Sequence, residues 1–503
     1  MLCVYRDLFP NINEESLETD PFVVDNKVVQ SSIKFNDKFE RLRLRTHSNH
    51  QSDFESIILN GNTTVLKKPM KKDLRREEQP KFKFINSAYF FAQKLEEIGQ
   101  KEAGILLNYI FNQVKIIRID CQSVSFAIKL FQVLNDRGLD LSNSDLIKSF
   151  LIGKIQKTYE NNSELRKQKE DQFMDDWKKC EDVASHTYTS MNDFFVMYEY
   201  YQLASNPKKA LYDELVNVLK DKDPNEIIAD IKRFICSFKD EIYDKEDKLI
   251  YSFFYLKWSM YWRTILITAL HVNYPEYDKL CKELRRFYYL NWIAGYTLNK
   301  IKQISFNLIK WIKEGRSLSD IVADFENNLN SNNTISRVKE AIDGDIYFDP
   351  WCKPLLCLIE YKQTDDSTLS FISIEDRNIH AEHIIPRAYS KNEEWTYIKE
   401  IKEIDSWINT GGNLTLLSGK KNIEASNNSF NKKILSYDGK GLYNEENSGV
   451  TSFMITQKIV NDYNSGKYEK IWNNVSIIDR WNWFCENIEA ILNIDLRDKK
   501  LNK

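Results

Sequence analysis

The amino-acid sequence predicts a mainly α-helical protein with a small α+β module near its C-terminus. Three observations predict this fold class. The 503 residues include only 15 glycines and 10 prolines, so tight turns are few. Apolar residues recur at three- and four-residue spacing through much of the chain, which is typical of helices. A strand, long loop, strand and helix are expected only after residue 345. The length suggests two to four domains.

The composition indicates a globular protein without a general affinity for polyanions. Hydrophobic residues make up 42% and charged residues 29% of the chain. Lysine plus arginine (71) nearly balances aspartate plus glutamate (74), so any DNA contact must come from local patches. No apolar run approaches the ~18 residues of a membrane span, and the first residues lack the pattern of a signal peptide. The eight cysteines form no CxxC pair. We therefore expect a cytoplasmic protein with reduced thiols.

The first 160 residues contain strand-like and helical patterns. Alternation over FERLRLRT (39–46) predicts a strand, and helical spacing runs from 87 to 155. Within it, FQVLNDRGLDLSNSDLIKSFLIGK (131–154) reads as helix, tight turn, helix, with Ser142 and Asp145 spaced as a capping box. The polar stretch 157–172 is a domain boundary or a surface helix. From the residues alone, 131–154 is a corner between two helices.

Residues 173 to 340 are predicted to be almost entirely helical and are rich in aromatic side chains. Examples are YSFFYLKWSMYWRTILITALHV (251–272) and LRRFYYLNWIAGYTL (284–298). Aromatic side chains can stack on bases. At three- and four-residue spacing they more often form the core of a helical bundle, which is the interpretation we favour.

The stretch HAEHIIPR (380–387) holds two of the six histidines beside a carboxylate. Pro386 and the isoleucines predict a strand end, which excludes the helical HExxH zinc-protease pattern. The Glu382 carboxylate suits Mg²⁺ or Mn²⁺, and a neutral His383 suits proton abstraction near pH 7. Taken alone, the histidine pair is a weak signal.

The segment GGNLTLLSGKKNIEASNNSFNKK (411–433) supplies what a one-metal phosphodiesterase needs in addition. Asn413 opens the second strand and is a candidate for orienting His383. Asn422 lies about one turn into the next helix, where its amide oxygen could bind the same ion as Glu382. Four lysines supply positive charge for phosphates: Lys420, Lys421, Lys432 and Lys433. The specific signal for a site is the combination of the histidine pair with the two asparagines and the lysines.

EHIIP, GGNLTLL, KKN and NNSFNKK together resemble the HNH (ββα-metal) nuclease motif. More narrowly, residues 345–495, including RWNWFCENI (480–488), are similar to the C-terminal nuclease domain of GmrSD-type type IV restriction enzymes. The resemblance implies that His383 is the general base and that Glu382 and Asn422 bind one divalent ion. It also implies that Asn413 positions the histidine. His380 matches a position where related enzymes carry a carboxylate, so it is a second-shell candidate.

The stretch NDRGLDLSNSDLIK also resembles the signature NxRGxxLxxxDLIK of the N-terminal, ParB-like GmrSD module. The resemblance implies a nucleotide-sensing role for Asn135, Arg137, Asp145 and Lys148. That module normally carries a DGQQR sequence before the segment matching FERLRLRT, and this chain has none. Either a separate DGQQR-bearing polypeptide completes the module, which is the explanation we prefer, or the chain is a truncated product. In both cases NTP binding or hydrolysis is not expected of this chain alone.

These observations predict three regions. Residues 1–160 are an incomplete sensor module, 161–340 a helical connector and 341–503 the nuclease domain. The expected activity is metal-dependent DNA cleavage, with one Mg²⁺ or Mn²⁺ per site, in an anti-phage system acting on modified or foreign DNA. A double-strand break would need two copies or two successive nicks, and the first route makes a homo-oligomer a candidate. The alternatives are an RNase on the same fold and a non-catalytic DNA-binding or regulatory subunit of a split complex.

Overall fold

A computed structural model divides the chain into two compact units, Met1–Asp120 and Cys121–Lys503. It describes residues 1–13, 23–35, 51–60, 79–115, 142–365, 370–376, 378–400, 403–439 and 451–496, with positions 15, 18, 42, 43, 62–65, 117, 119 and 130 between them. The predicted strand over 39–46 lies almost wholly outside these residues. Searched over the described residues, the helices include none with the length and apolar character of a membrane span.

The described part of the first unit is helical. Its helices are α1 (Leu2–Leu8), α2 (Asn26–Ile33), α3 (Gln51–Phe54) and α4 (Gln79–Gln113). Gly99 interrupts α4 with a φ of 78°, a backbone conformation that glycine adopts without steric cost. Tyr5, Val29, Leu95 and Leu107 belong to the core of this unit.

The second unit begins with a long helical array. Its helices are α5 (Asn143–Thr158), α6 (Ser163–His186), α7 (Met191–Leu203), α8 (Leu211–Leu219), α9 (Pro224–Phe238), α10 (Lys248–Phe253), α11 (Ser259–His271), α12 (Tyr277–Ile293), α13 (Leu298–Lys313), α14 (Leu318–Ser331), α15 (Thr334–Asp343) and α16 (Cys352–Gln363). The aromatic residues of segments 251–272 and 284–298 are mostly buried in the core of this array, as Trp262, Tyr288 and Tyr289 illustrate. The prediction that these aromatic residues are core is confirmed.

Local sequence signals set several helix starts. The Ser142 side chain accepts a hydrogen bond from the Asp145 N–H, and the Asp145 carboxylate accepts one from the Ser142 N–H. This is the predicted capping box, and it begins α5. Asp223 caps α9 directly before Pro224, whose fixed φ suits the first helical position.

The C-terminal part adds a two-stranded antiparallel ribbon, β1 (Ile379–His383) and β2 (Leu414–Ser418), in which His383 lies opposite Leu414. Helices α17 (Ile404–Trp407), α18 (Gly419–Ala425), α19 (Phe430–Tyr437), α20 (Met454–Asn464) and α21 (Asn474–Leu492) accompany it. The predicted order of strand, loop, strand and helix is present. A mainly α fold with a small α+β module is therefore confirmed.

The ribbon packs against two hydrophobic cores. Leu414 and Leu416 belong to a large core whose members extend from Ile147 to Leu496. Leu417 belongs to a smaller core with residues of the loops and helices around the ribbon. The connector and the ribbon region thus share a core. The boundaries predicted near residues 160 and 340 lie inside this second unit and stay predictions.

Candidate active site

His383, the last residue of β1, is fixed by contacts on its ring. The side chain is buried, and its Nε2 atom lies 2.9 Å from Oδ1 of Asn409. The ring centroid lies 4.2 Å from that of Tyr347. Tyr347 lies in the segment before α16, and Asn409 lies in the loop between β1 and β2. The imidazole is held in one orientation before any ligand binds.

The hydrogen bonds around Asn409 determine which nitrogen of His383 carries the proton. The Asn409 Nδ2 atom lies 2.9 Å from Oδ2 of Asp345. An ionised carboxylate only accepts hydrogen bonds, so the amide nitrogen must face Asp345 and the amide oxygen must face the ring. His383 then donates from Nε2, which leaves Nδ1 as the proton acceptor of the neutral imidazole.

The charge state of His383 follows from its surroundings. Burial lowers the pKa of its imidazole to about 4, the hydrogen bond with Asn409 raises that pKa, and the positive charges of Lys433 and Arg387 lower it further. The ring is therefore neutral at pH 7. A neutral imidazole with a free nitrogen can take a proton from water.

Glu382, the neighbour of His383, has a different environment. Successive strand residues point to opposite faces, and the Glu382 carboxylate meets α19, where Lys433 Nζ lies 2.5 Å from its Oε1 atom. Lys433 also donates to the His383 carbonyl oxygen at 2.6 Å. Burial raises the pKa of the Glu382 carboxyl and lowers the pKa of the Lys433 ammonium, while their mutual attraction opposes both shifts. Lys433 thus fixes the end of β1 through two bonds.

Asn413 is completely buried and links the loop after β1 to the loop before β2. Its Oδ1 accepts from the Ile385 N–H at 2.8 Å, and its Nδ2 donates to the carbonyl oxygens of Ile385 and Ile408. The side chain therefore binds backbone, and Asn409 is the residue bonded to the ring of His383. Asn413 supports the position of the histidine through the main chain.

Two glycines let this loop lie against α21. A Cβ atom at Gly412 would be 2.4 Å from the Ile477 carbonyl oxygen, and one at Gly411 would be 2.6 Å from the Phe484 ring. No side chain fits at either position. The Gly-Gly-Asn sequence is thus explained by close packing beside the site.

Asn422 has a side-chain oxygen with the property expected of a metal ligand. It lies on α18, which packs against both strands. Its Oδ1 atom is buried and accepts no hydrogen bond from the described residues, which is costly unless another partner binds it. His380 lies beside the start of this helix, because a Cβ atom at Gly419 would be 3.5 Å from His380 Nε2.

Glu382 and Asn422 fit a hard divalent cation by the chemistry of their donors. Both offer oxygen, which Mg²⁺ and Mn²⁺ prefer. Among the residues that the structure describes, no group of three or more histidine, cysteine, aspartate or glutamate side chains could hold a metal. An ion held by one carboxylate and one amide would keep several waters, as Mg²⁺ usually does.

Two of the four lysines predicted to bind phosphate are buried. Lys433 is fully buried on Glu382, and Lys421 Nζ donates to the Ser436 carbonyl oxygen at 2.6 Å and pairs with Glu424 at 3.1 Å. A buried ammonium that already has partners cannot reach a DNA backbone without breaking these bonds. Lys421 and Lys433 are thus engaged with partners of the fold, and their phosphate-binding role stays a prediction.

The other two lysines are accessible. Lys420 is exposed at the start of α18. Lys432 is half exposed and lies 2.7 Å from a carboxylate oxygen of Glu394. An exposed ion pair of this kind is weak, so a phosphate can displace it. The phosphate-binding role of these two residues stays a prediction.

The predicted nucleotide-sensing residues are only partly described. Asn135 and Arg137 lie outside the described residues. Asp145 is occupied in the capping box of α5, and Lys148 lies 3.5 Å from a carboxylate oxygen of Glu181 and 5.2 Å from the Trp177 ring centroid. Asp145 therefore has a structural role in this unit.

Sequence reasoning missed four residues of the site: Asn409, Asp345, Tyr347 and Arg387. Asn409 and Asp345 stand in no recognisable pattern, because asparagine and aspartate are frequent in loops of this chain. Arg387 carried a signal, since it is the nearest cationic residue to His383 in sequence.

Two family models match the chain. One is described as "GmrSD restriction endonucleases, C-terminal domain" and matches residues 325–487. The other is described as "GmrSD restriction endonuclease, N-terminal domain" and matches residues 6–152. No curated protein and no solved structure matches the chain. The C-terminal match includes Glu382, His383, Asn413 and Asn422.

Proposed function

Since the chain belongs to the GmrSD type IV restriction endonuclease family, which implies a restriction endonuclease in phage defence, we propose that residues 341–503 carry an HNH (ββα-metal) centre that cleaves DNA with one divalent ion. The substrate class we propose is modified or foreign DNA. The observation that carries this proposal is the state of His383, which is neutral, fixed by Asn409 and left with Nδ1 as its acceptor.

His383 acts as the general base in this proposal. Its Nδ1 atom takes a proton from the water that attacks the scissile phosphorus, while Nε2 stays bonded to Asn409. The imidazolium that forms lies beside the negative charge of the phosphate, which stabilises it and offsets the effect of burial. Asp345 holds the Asn409 amide in the orientation that this proton transfer requires.

Glu382 and Asn422 would hold the ion. When bound, it supplies positive charge that stabilises the phosphate oxygens and the leaving oxygen in the transition state. Lys433 keeps the Glu382 carboxylate at the end of β1 through its second bond, to the His383 carbonyl oxygen. One such centre cuts one strand, so a double-strand break requires two copies or two successive nicks.

A plasmid-nicking assay on the full chain tests this function. Supercoiled DNA is incubated with Mg²⁺, Mn²⁺ or EDTA, and RNA is tested in parallel. We expect metal-dependent nicking of DNA that His383→Ala lowers by at least about 100-fold, the usual contribution of a general base. The matched control is His186→Ala, since His186 is a surface residue paired with Asp244.

Each alternative predicts a different result. Cleavage of RNA and not DNA would favour the RNase. Binding of DNA without cleavage under either metal would favour the non-catalytic subunit. Nicking that His383→Ala leaves unchanged would overturn the assignment of the site.

A further inference from the structure

An exposed aromatic side chain and an exposed arginine lie next to Tyr347, the residue whose ring contacts His383. Phe348 is 63% exposed, and the Arg387 guanidinium carbon lies 4.8 Å from its ring centroid. Tyr347 lies between this pair and the imidazole, with ring centroids 5.1 Å from Phe348 and 4.2 Å from His383. We call Phe348 and Arg387 the aromatic–arginine pair.

The backbone under the pair is fixed to the site. The Ile346 N–H donates to the Asn409 carbonyl oxygen at 3.1 Å, and Ile346 itself is fully buried. Arg387 follows Pro386 in the turn that leaves β1, and the Tyr389 N–H donates to the Pro386 carbonyl oxygen at 2.9 Å. The backbone that carries the pair is therefore anchored to the segments that hold the general base.

Folding does not explain the pair. A phenylalanine that is mostly exposed gains little from burial. An exposed cation–π contact contributes only about 0.5–1 kcal/mol. Arg387 has no ion pair with any carboxylate of the described residues, so its charge is available to an anion.

The chemistry of the pair matches a nucleotide. A guanidinium binds phosphate oxygens through two parallel hydrogen bonds. An exposed aromatic ring stacks on any nucleobase whose face is free, with about 1–3 kcal/mol per base. In an undistorted duplex the base faces are covered by their neighbours, so stacking on Phe348 requires an unpaired or displaced base.

We propose that Phe348 stacks on an unstacked nucleobase next to the scissile phosphate while Arg387 binds a neighbouring phosphate. The centre then acts on DNA that is single-stranded or locally opened at the cut. This inference rests on the nuclease function proposed above and names the form of DNA that the site takes.

Binding measured in EDTA tests the inference without requiring cleavage. Full-length chain carrying His383→Ala is titrated against one fluorescent oligonucleotide, either single-stranded or as its duplex. We expect Phe348→Ala to weaken single-strand binding about tenfold or more and duplex binding much less, and Phe348→Trp to keep single-strand affinity. Arg387→Gln should weaken single-strand binding and make its salt dependence shallower by about 0.7, the value for one phosphate contact.

The controls are Phe90→Ala and Arg337→Gln. Phe90 is 54% exposed, and the Arg337 guanidinium lies over the Tyr296 ring at 5.2 Å, the same kind of cation–π contact on α15. The inference is overturned if Phe348→Ala binds single strands as tightly as Phe90→Ala does. It is also overturned if Phe348→Ala weakens the binding of single strands and of duplex by the same factor. A wild-type chain that does not nick DNA would instead contradict the nuclease proposal.

Discussion

The Nε2 atom of His383 lies 2.9 Å from Oδ1 of Asn409, and the far side of that amide is bonded to Asp345. This relay runs through three segments that are distant in sequence. It fixes both the tautomer and the orientation of the imidazole. The relay does for His383 what a carboxylate or carbonyl partner does for the histidines of many catalytic and metal sites.

Replacing Asn409 should therefore impair catalysis more than folding. We expect Asn409→Leu to lower the nicking rate by about tenfold or more, the usual effect of losing a partner of an active residue. The ¹⁵N chemical shifts of the His383 ring should show an unprotonated Nδ1 in the wild type and a mixture of tautomers in the variant. Asn307→Leu on α13 is the control. An unchanged rate together with an unchanged tautomer would remove Asn409 from the mechanism.

Lys433 and Lys432 are neighbours in sequence with opposite environments. Removal of Lys433 leaves the buried Glu382 carboxylate without its partner, so we expect Lys433→Met to lower the free energy of unfolding by about 3 kcal/mol. Lys432→Met should change it by less than about 1 kcal/mol, since Lys432 pairs at the surface. Denaturant unfolding measures both.

The Glu382→Gln/Lys433→Met double variant gives a further test of this pair. Because it leaves no buried charge, we expect it to recover at least half of the loss caused by Lys433→Met. Equal destabilisation by Lys432→Met and Lys433→Met would show that Lys433 is not buried as described.

The low pKa of His383 makes the stability of the fold depend on pH. The unfolded chain binds a proton at this residue below about pH 6.5 and the folded chain only below about pH 4. Between these values the unfolded state holds more protons, so the free energy of unfolding falls as the pH falls. From pH 7 to pH 4.5 the loss should be roughly 2–3 kcal/mol, at about 1.4 kcal/mol per pH unit.

Comparison with His383→Gln isolates this effect from the other titrating groups. From pH 7 to pH 4.5 the free energy of unfolding of the wild type should fall by roughly 2–3 kcal/mol more than that of the variant. Parallel curves for the two proteins would mean that the imidazole is as accessible to protons in the folded state as in the unfolded chain.

The local parts of the site could be predicted from sequence. Pro386 and β-branched residues predicted the end of β1, and the spacing from Asn413 to Asn422 predicted a strand followed by a helix. Such signals depend on neighbours in the chain, which a sequence displays. The family resemblance added roles for these residues that spacing alone does not determine.

The tertiary contacts could not be predicted. Lys421 and Lys433 were predicted to bind phosphates. Lysine is rarely buried without a partner, and the partners of these two residues are fixed only when α18 and α19 pack. Asn409 meets His383 across 26 residues, and Asn409 and Asp345 are 64 residues apart in sequence. Nothing in the composition of these loops distinguishes them from other polar loops.

Divalent ion binding tests the central claim most directly, because Glu382 and Asn422 are proposed to converge on one cation. Mn²⁺ is titrated into the full chain and followed by electron paramagnetic resonance, for the wild type, Asn422→Ala and the control Asn427→Ala. We predict a single site whose affinity falls at least about tenfold in Asn422→Ala and stays unchanged in Asn427→Ala. Wild-type affinity and wild-type nicking in Asn422→Ala would contradict the account.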